Sequence, residues 1–392
     1  MTSALIIGGG VAGPVTAMAL QKAGIDATIY EAYDRSADGV GAFLTLAVNG
    51  IAALGELDLH TVVREKGFAT TKMTLGMGEG KTMAEFGFGA ALPDGTSTQT
   101  ITRAALYGAL RDEAVRRGVP IEYGKKLVAA TPTRNGVTAT FADGTTAHAD
   151  LLIGADGLRS TVRTIIDPNA PAPRYVPLRN EGGYAKGLGL DIEPGVMHMV
   201  FGRECFYAYV MHPNGDVWWF ANPRQPHELS RQELAETPWR EKLLDLFATG
   251  DRLPRDLINA TDELFAGWNT YDFPKVPTWH RDNMIIIGDA AHATSPASGQ
   301  GASMAIEDAV TLGKCLRDAD SVPAAFAAYE SLRRKRVERV VSQGKRNGDG
   351  KSLGPVMRRV LPLFFKLYKP GEESMNWLYG HRVDWDTPAL AA

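Results

Sequence analysis

The chain has 392 residues, of which 44% are apolar and 22% are charged, and its formal net charge at pH 7 is −3. These values are typical of a globular protein with two or three domains, and they exclude a disordered chain or a strongly basic, nucleic-acid-binding one. The two cysteines, Cys205 and Cys315, lie far apart, which argues against a disulfide framework, and no Cys/His spacing suggests zinc. No apolar run is long enough to span a membrane. We therefore expect a cytoplasmic protein that binds neither nucleic acid nor a membrane.

The N-terminus predicts a dinucleotide-binding unit. The apolar strand Ala4–Ile7 leads into a Gly-x-Gly-x-x-Gly turn, and a helix and a second strand that ends in an acid follow. In such a unit the first glycine makes a tight turn, the second lets a pyrophosphate approach, and the third lets the helix pack on the strand. The acid binds a ribose diol, and its charge favours the adenosine of FAD or NAD over NADP. The predicted site residues are Gly8, Gly10, Val11, Ala12, Gly13 and Glu31.

Three further elements are predicted before residue 170. Gln99–Arg103 leads into an amphipathic helix, and Lys126–Phe141 has the pattern of a hairpin with an Asn-Gly turn. The apolar strand Leu151–Gly154 then precedes Asp156, a glycine and a basic helix, which is again the arrangement of strand, turn and helix.

Residues 71–97 and 171–275 have the patterns of β-strands, and a strong turn sequence predicts a hairpin within the second range. Aromatic side chains alternate along both strands of that hairpin. Such stripes usually form the core of a sheet. For one face of this sheet, lining a substrate cavity is an equally good alternative, and the sequence does not decide which face that is. The candidate substrate residues are Tyr207, Tyr209, Trp218 and Phe220.

The longest motif follows the apolar strand Met284–Ile287. It begins with Gly-Asp, continues through a loop that contains Pro296, and ends where a long helix begins. An aspartate at the end of a strand can accept hydrogen bonds from a ribityl hydroxyl, and glycines let the backbone approach a ligand. The N–H groups of the first helical turn attract negative charge. The predicted site residues are Asp289, Gly299, Gly301 and Ala302.

The last part of the chain is predicted to be helical. A basic helix over Ala325–Val341 is expected to pack on the cofactor domain with a solvated face. Lys351–Gly371 combines apolar and basic residues and is expected to cap a cavity or form a subunit interface, with membrane contact as the weaker alternative. A monomer or a homodimer is expected.

Taken together, the three motifs resemble one known family. The N-terminal glycines, the Asp156 motif and the Asp289 motif occur in the order found in single-component FAD-dependent monooxygenases of the para-hydroxybenzoate hydroxylase type. That family includes salicylate hydroxylases and tetracycline-inactivating and antibiotic-tailoring hydroxylases. The resemblance implies an α/β fold, in which a discontinuous Rossmann-like FAD domain of the glutathione-reductase type carries an inserted mixed β-sheet substrate domain and C-terminal helices.

The resemblance also implies further site residues and a domain organisation. Arg103 is expected near the pyrophosphate, a backbone group near Leu127 at the adenine, and Asp156 at the flavin or the nicotinamide nucleotide. Pro296 is the candidate contact at the flavin ring and the substrate, and no catalytic base is assigned. The expected divisions are 1–70, 98–170 and 276–325 for the FAD domain, 71–97 and 171–275 for the substrate domain, and 326–392 for the helical segment.

The activity that the resemblance implies is hydroxylation of an aromatic or polycyclic, phenolic small molecule. NADH or NADPH, bound transiently because a second glycine-rich unit is missing, reduces FAD; O2 then forms a flavin C4a-hydroperoxide, which hydroxylates the substrate. Two alternatives stay open: an FAD-dependent dehydrogenase that inserts no oxygen, and a non-catalytic flavin-binding protein.

The expected substrate is bulky and largely apolar, as in secondary metabolism. No arginine lies within the aromatic strands to pair with a small carboxylate, and Arg179 and Arg224 only flank them. We therefore expect a polyketide- or alkaloid-like substrate rather than salicylate or hydroxybenzoate.

Overall fold

The computed structural model describes residues 2–34, 42–78, 82–351, 360–363, 365 and 375–389. Its central sheet has six strands: β1 (Ser3–Ile7), β2 (Asp26–Tyr30), β8 (Ile121–Glu122), β12 (Leu151–Gly154), β19 (His280–Arg281) and β20 (Met284–Ile286). Their order is β19-β20-β12-β1-β2-β8, and all neighbours are parallel except the edge pair β19 and β20. Helices and a smaller sheet contact the middle strands, so Ile6, Ile153 and Ile285 are fully buried, as is usual for parallel strands.

Helices of this domain follow the strands that carry the sequence motifs. They are α1 (Ala12–Lys22), α4 (Arg103–Arg116), α5 (Thr161–Ile166), α9 (Asp289–His292) and α10 (Gly301–Asp318). The long helix α10 packs directly on α1, and a Cβ at Gly313 would lie 2.9 Å from the Cβ of Ala19. This close packing brings the starts of the two helices to the same edge of the sheet.

A second six-stranded sheet is built from the two regions with β patterns. Its strands are β5 (Lys72–Met77), β6 (Thr82–Gly87), β14 (Glu181–Ala185), β15 (Val196–Phe201), β16 (Phe206–Met211) and β17 (Val217–Asn222). They lie in the order β14-β17-β16-β15-β5-β6, antiparallel except for β15 and β5. The predicted hairpin is confirmed as β16 and β17. The strand patterns did not predict the three helices that follow β17: α6 (Arg231–Glu236), α7 (Trp239–Leu246) and α8 (Leu253–Asn259). One face of this sheet packs against α7 and α8.

Smaller elements connect the two sheets. The hairpin predicted over residues 126–141 is confirmed as part of the sheet β9 (Leu127–Thr133), β10 (Gly136–Phe141) and β11 (Thr146–Ala149). Two more sheets comprise β3 (Phe43–Leu46), β4 (Phe68–Ala69) and β7 (Gln99–Thr102), and β13 (Arg174–Val176) with β18 (Thr270–Asp272). The helices α2 (Val48–Gly55) and α3 (His60–Arg64) lie between β3 and β4 along the chain.

The C-terminal part contains α11 (Val322–Gly350) and the short α12 (Asn376–Tyr379), and residues 380–389 follow without a helix. The amphipathic helix predicted over residues 351–371 falls mostly outside the described residues. Within the described ranges, no helix combines the length and the apolar character needed to cross a membrane. Both cysteines are free and buried.

Candidate functional site

The two glycine-rich motifs meet at the carboxyl ends of the central strands. Gly288 follows β20 with a φ of +57°, a region that favours glycine. A Cβ at Gly288 would lie 3.3 Å from the Cβ of Ala305 in α10 and 3.6 Å from the Cβ of Ala12 in α1. The structure therefore brings together, at one edge of the sheet, the motifs that the sequence separates by almost 300 residues.

The N-terminal turn is shaped for a ligand at the start of α1. A Cβ at Gly13 would lie 2.0 Å from the carbonyl oxygen of Gly8, so only glycine allows this helix to follow this turn. No side chain caps the helix at Val11. Glu31 lies beside the turn, where its Oε2 accepts a 2.6 Å hydrogen bond from the N–H of Gly9. The turn thus offers N–H donors at the helix start, which can bind a phosphate, and a carboxylate, which can bind the hydroxyls of a ribose.

The start of α10 repeats this arrangement. No side chain caps the helix at Gln300, so the N–H groups of Gly301 and Ala302 are available as donors. The preceding loop contains a short 3-10 turn that begins at Pro296, which is exposed, and ends at Gly299 with a φ of +62°. The uncapped starts of α1 and α10 and the exposed Pro296 loop therefore lie together at the carboxyl edge of the central sheet.

Asp289 and Arg103 act on each other electrostatically in this region. Asp289 is accessible to solvent but has many protein atoms around it. Desolvation by these atoms raises the pKa of Asp289, and the charges of His292 and Arg103 oppose this rise. Arg103 is exposed at the first turn of α4 and also favours the ionised form of Tyr184 on the second sheet. The cation predicted for a pyrophosphate thus lies between the Gly-Asp motif and the β-sheet domain.

The residues present fit a dinucleotide cofactor. A Cβ at Gly10 or at Gly299 would meet no protein atom within 4 Å, so the backbone faces open space at both positions. Among the buried polar atoms that have no hydrogen-bond partner in the described part of the chain are Asp156 Oδ1, Asn49 Oδ1 and Gln300 Nε2. Open backbone, unpartnered polar atoms and two uncapped helices are what a flavin ring, a ribityl chain and a pyrophosphate need.

Asp156 also has a structural role. Its Oδ2 accepts hydrogen bonds from the backbone N–H groups of Thr161, at 2.7 Å, and Val162, at 3.1 Å, which caps α5. Burial raises the pKa of this carboxyl. Only Oδ1 is left for a ligand, and the contact with flavin or nicotinamide stays a prediction.

Leu127 lies on the side of the site where Glu31 is found. It is buried at the start of β9, and two residues earlier the N–H of Lys125 donates a 2.8 Å hydrogen bond to the carbonyl of Glu31. This position agrees with a ligand whose adenosine end contacts Glu31, and the adenine contact itself stays a prediction.

The four aromatic candidates on the second sheet do not share one face. Trp218 and Phe220 project toward the cofactor motifs, are only partly buried, and contact Phe43 of β3 at ring-centroid distances of 5.5 and 6.1 Å. Tyr207, 1% exposed, packs on Phe247 of the outer helices. Tyr209 pairs with Trp219 on that same outer face. The prediction that Tyr207 and Tyr209 line the substrate site is therefore corrected, because their strand turns these side chains away from the cofactor motifs.

Two residues that the sequence did not single out lie on the inner face. Tyr184 of β14 packs edge-on against Trp218 at 5.0 Å, and burial raises its pKa to about 12. Lys351, directly after α11, places its Nζ 4.5 Å from the ring centroid of Phe206 and donates a 2.5 Å hydrogen bond to Asn222 Oδ1. No arginine lies within the aromatic strands, as expected, but Lys351 supplies a cation to the aromatic wall from outside them. Of the two flanking arginines, Arg179 is buried in an ion pair with Glu181.

A buried ion cluster supports the Gly-Asp turn from behind. Asp308 Oδ2 lies 2.9 Å from the donating N–H of Gly288 and 2.5 Å from His292 Nε2, while its Oδ1 accepts a hydrogen bond from Arg333. Burial opposes ionisation of Asp308, but His292 and Arg333 outweigh it and lower its pKa to about 2. His292, which follows the Gly-Asp pair, therefore anchors the turn through Asp308.

Comparison with known proteins decides the family. The family model described as "FAD binding domain" matches residues 1–344. The chain belongs to this family. Among its relatives are the 3-hydroxybenzoate 6-hydroxylase of Klebsiella oxytoca, 28% identical over 97% of each chain, and an FAD-dependent urate hydroxylase of Mycolicibacterium vanbaalenii, 31% identical over 88% of this chain and 87% of the relative.

The structure agrees with this family assignment. It matches a variant of Klebsiella pneumoniae HpxO complexed with FAD, with a TM-score of 0.83 and 26% identity over 96% of this chain and 97% of the other. The protein is an FAD-dependent monooxygenase, which confirms the predicted fold class, cofactor and enzyme class. The domain bounds and the roles of single site residues stay predictions.

Proposed function

We propose that this enzyme hydroxylates a phenolic aromatic small molecule, held between the inner face of the second sheet and the Pro296 loop. The observation that carries the proposal is the partly exposed aromatic surface of Tyr184, Trp218 and Phe220, on the side of the sheet where Arg103 and Asp289 lie. Aromatic walls of this kind bind flat apolar ligands through ring contacts.

The residues described above support the following place for the cofactor. When bound, FAD would accept hydride from NADH or NADPH and activate O2. The starts of α1 at Ala12 and of α10 at Gly301 would hold its phosphates. Glu31 would bind its ribose and Asp289 its ribityl chain. Pro296 and the aromatic wall would exclude water from the reacting atoms, which favours oxygen transfer over loss of hydrogen peroxide.

The chemistry of the relatives supports an aromatic substrate. Their names give 3-hydroxybenzoate and urate, both flat molecules with ionisable oxygens. The preference for bulky apolar molecules depended on the absence of a cation, and Lys351 removes that argument. The proposal therefore covers monocyclic and polycyclic phenols. It includes a cytoplasmic location, which the free, buried cysteines support, and a monomeric or homodimeric state.

Substrate-dependent oxidation of NADH and NADPH tests this proposal. The yellow holoenzyme would be screened with hydroxybenzoates, naphthols and polycyclic phenolic quinones, with hydrogen peroxide measured in parallel. We expect at least one phenol to accelerate NAD(P)H oxidation while less peroxide forms than NAD(P)H is consumed. Reduction of a dye or quinone with no hydroxylated product would instead support the dehydrogenase, and no flavin reduction with any substrate would support the non-catalytic flavoprotein.

A further inference from the structure

Lys351 connects the cofactor loop to the aromatic wall. The last turns of α11 run along the Pro296 loop, where Asn347 Nδ2 donates a 3.1 Å hydrogen bond to the carbonyl of Ala297. A Cβ at Gly348 would lie 3.8 Å from both Ser295 Oγ and the Cβ of Ala297. Lys351, three residues after Gly348, reaches the aromatic inner face of the second sheet.

The ammonium group of Lys351 lies among aromatic rings. Its Nζ is 4.5 Å from the ring centroid of Phe206 and 5.5 Å from that of Phe220, both on the inner face of the sheet. Contacts of this type stabilise a cation against an aromatic face. The side chain is half-buried, so part of it stays accessible from solvent.

No acid in the described part of the chain forms an ion pair with Lys351. Its one hydrogen bond there goes to the neutral Oδ1 of Asn222, although an ammonium group has three donors. The titratable group that acts on it is Cys205, and burial raises the pKa of that thiol to about 12, which keeps it neutral. Desolvation lowers the pKa of Lys351 to about 7. A partly desolvated cation without a counterion is costly, and an anionic ligand would reduce that cost.

We propose that Lys351 determines substrate specificity by binding an anionic oxygen carried by the aromatic ring of the substrate. The inference depends on the proposed function, because it places the substrate on the same wall. A neutral Lys351 amine would accept the proton of a phenol: the O–H bond breaks, an N–H bond forms, and an ammonium–phenolate pair results. A phenolate is the more electron-rich ring, which electrophilic oxygen transfer requires. A carboxylate would bind the ammonium form directly.

Equilibrium dialysis of the oxidised holoenzyme, without NAD(P)H, tests this inference independently of turnover. The probes are 4-nitrophenol, 4-nitrobenzoate and the neutral 4-nitroanisole. The variants are Lys351→Met, which keeps an apolar stem on the rings, and Lys351→Arg, which keeps the charge. Lys335→Met is the matched control, because Lys335 lies exposed on the same helix.

We expect Lys351→Met to bind at least one of the two acidic probes roughly 10- to 100-fold more weakly than the wild type. Its affinity for 4-nitroanisole should stay within about two-fold, and Lys351→Arg and Lys335→Met should behave like the wild type. Weakening with 4-nitrophenol alone assigns a phenolate, and weakening with 4-nitrobenzoate alone assigns a carboxylate.

Equal weakening for all three probes, or none for the acidic ones, would overturn the inference and leave Lys351 a packing role. A wild-type enzyme that binds neither acidic probe better than 4-nitroanisole would also overturn it. If the charge dependence is found but no oxygen reaches any product, the proposed function fails while the assignment of Lys351 as an anion-binding residue stands.

Discussion

The backbone N–H of Gly288 donates a 2.9 Å hydrogen bond to a carboxylate oxygen of Asp308, twenty residues further along the chain. Asp308 is fully buried and is held in turn by Arg333 of α11. The turn that carries Asp289, the predicted cofactor contact, is thus fixed by an ion cluster that joins α10 and α11. This relationship makes the C-terminal helix part of the support of the predicted flavin site.

Removing the central cation of that cluster should destabilise the whole enzyme. Arg333 forms ion pairs with Glu307 and Asp308, and all three side chains are at most 2% exposed. Arg333→Met would leave two buried carboxylates without this partner, at a cost of about 3–5 kcal/mol. Thermal unfolding should show a much lower Tm than in Arg346→Met, which changes an exposed arginine of the same helix. Equal Tm values in the two variants would mean that the cluster does not support the fold.

The same cluster predicts loss of stability in acid. Burial opposes ionisation of Glu307, but Arg333 and Arg336 outweigh it and lower its pKa to about 2, from 4.5 in the unfolded chain. This stabilisation is complete above about pH 4.5 and is lost as the pH falls toward 2, which amounts to about 3 kcal/mol.

Urea unfolding near pH 6 and near pH 3.5 measures this effect. The loss of stability between the two values should be smaller in Glu307→Gln than in the wild type, because the amide cannot titrate. The exposed Glu65→Gln serves as the control and should behave like the wild type. An unchanged loss in Glu307→Gln would show that other groups cause the acid sensitivity.

Asp289 should bind the cofactor without supporting the fold. Its side chain is accessible and ends on the region where the two glycine motifs meet. Asp289→Ala should weaken FAD binding roughly 10- to 100-fold, as expected for a lost hydrogen bond to a charged group. Flavin fluorescence on titration of the apoprotein measures this affinity, and the exposed Asp320→Ala is the control. Full flavin content in purified Asp289→Ala would refute this role.

Two glycines of the N-terminal turn should respond differently to alanine. At Gly13 the added Cβ would lie 2.0 Å from a backbone oxygen, whereas at Gly10 it would meet no protein atom. Gly13→Ala should therefore lower both the Tm of the apoprotein and its FAD content. Gly10→Ala should keep the apoprotein Tm and still lose FAD affinity by about ten-fold or more, since its methyl group would occupy the pyrophosphate position. A full flavin complement in Gly10→Ala would show that the pyrophosphate lies elsewhere.

The sequence predicts those parts of the site that depend on local chemistry. The strands, turns and helices around Gly8, Gly13 and Asp289 form as their local patterns predict, while the contacts of these residues with the cofactor stay predictions. The capping box of α6, formed by Ser230 and Glu233, was also readable as a helix start, although the surrounding β patterns led us to expect strands.

Other features depend on tertiary packing and could not be predicted. Alternation correctly separates Tyr207 from Phe206, but which side faces the cofactor depends on where the outer helices pack. The contact between Lys351 and Asn222 joins residues 129 positions apart, and the direction in which α11 ends decides it. No local sequence pattern predicts which face of the sheet lies toward the cofactor motifs or that Lys351 contacts Asn222.

Oxygen tracing tests the account most directly. The holoenzyme would turn over its best phenolic substrate with NAD(P)H under ¹⁸O₂ in ordinary water, and the product would be analysed by mass spectrometry. A monooxygenase incorporates one heavy oxygen atom into the product, with peroxide as the minor fate of O2. A product oxidised without ¹⁸O, or peroxide as the only reduced form of O2 for every substrate, would contradict the assignment.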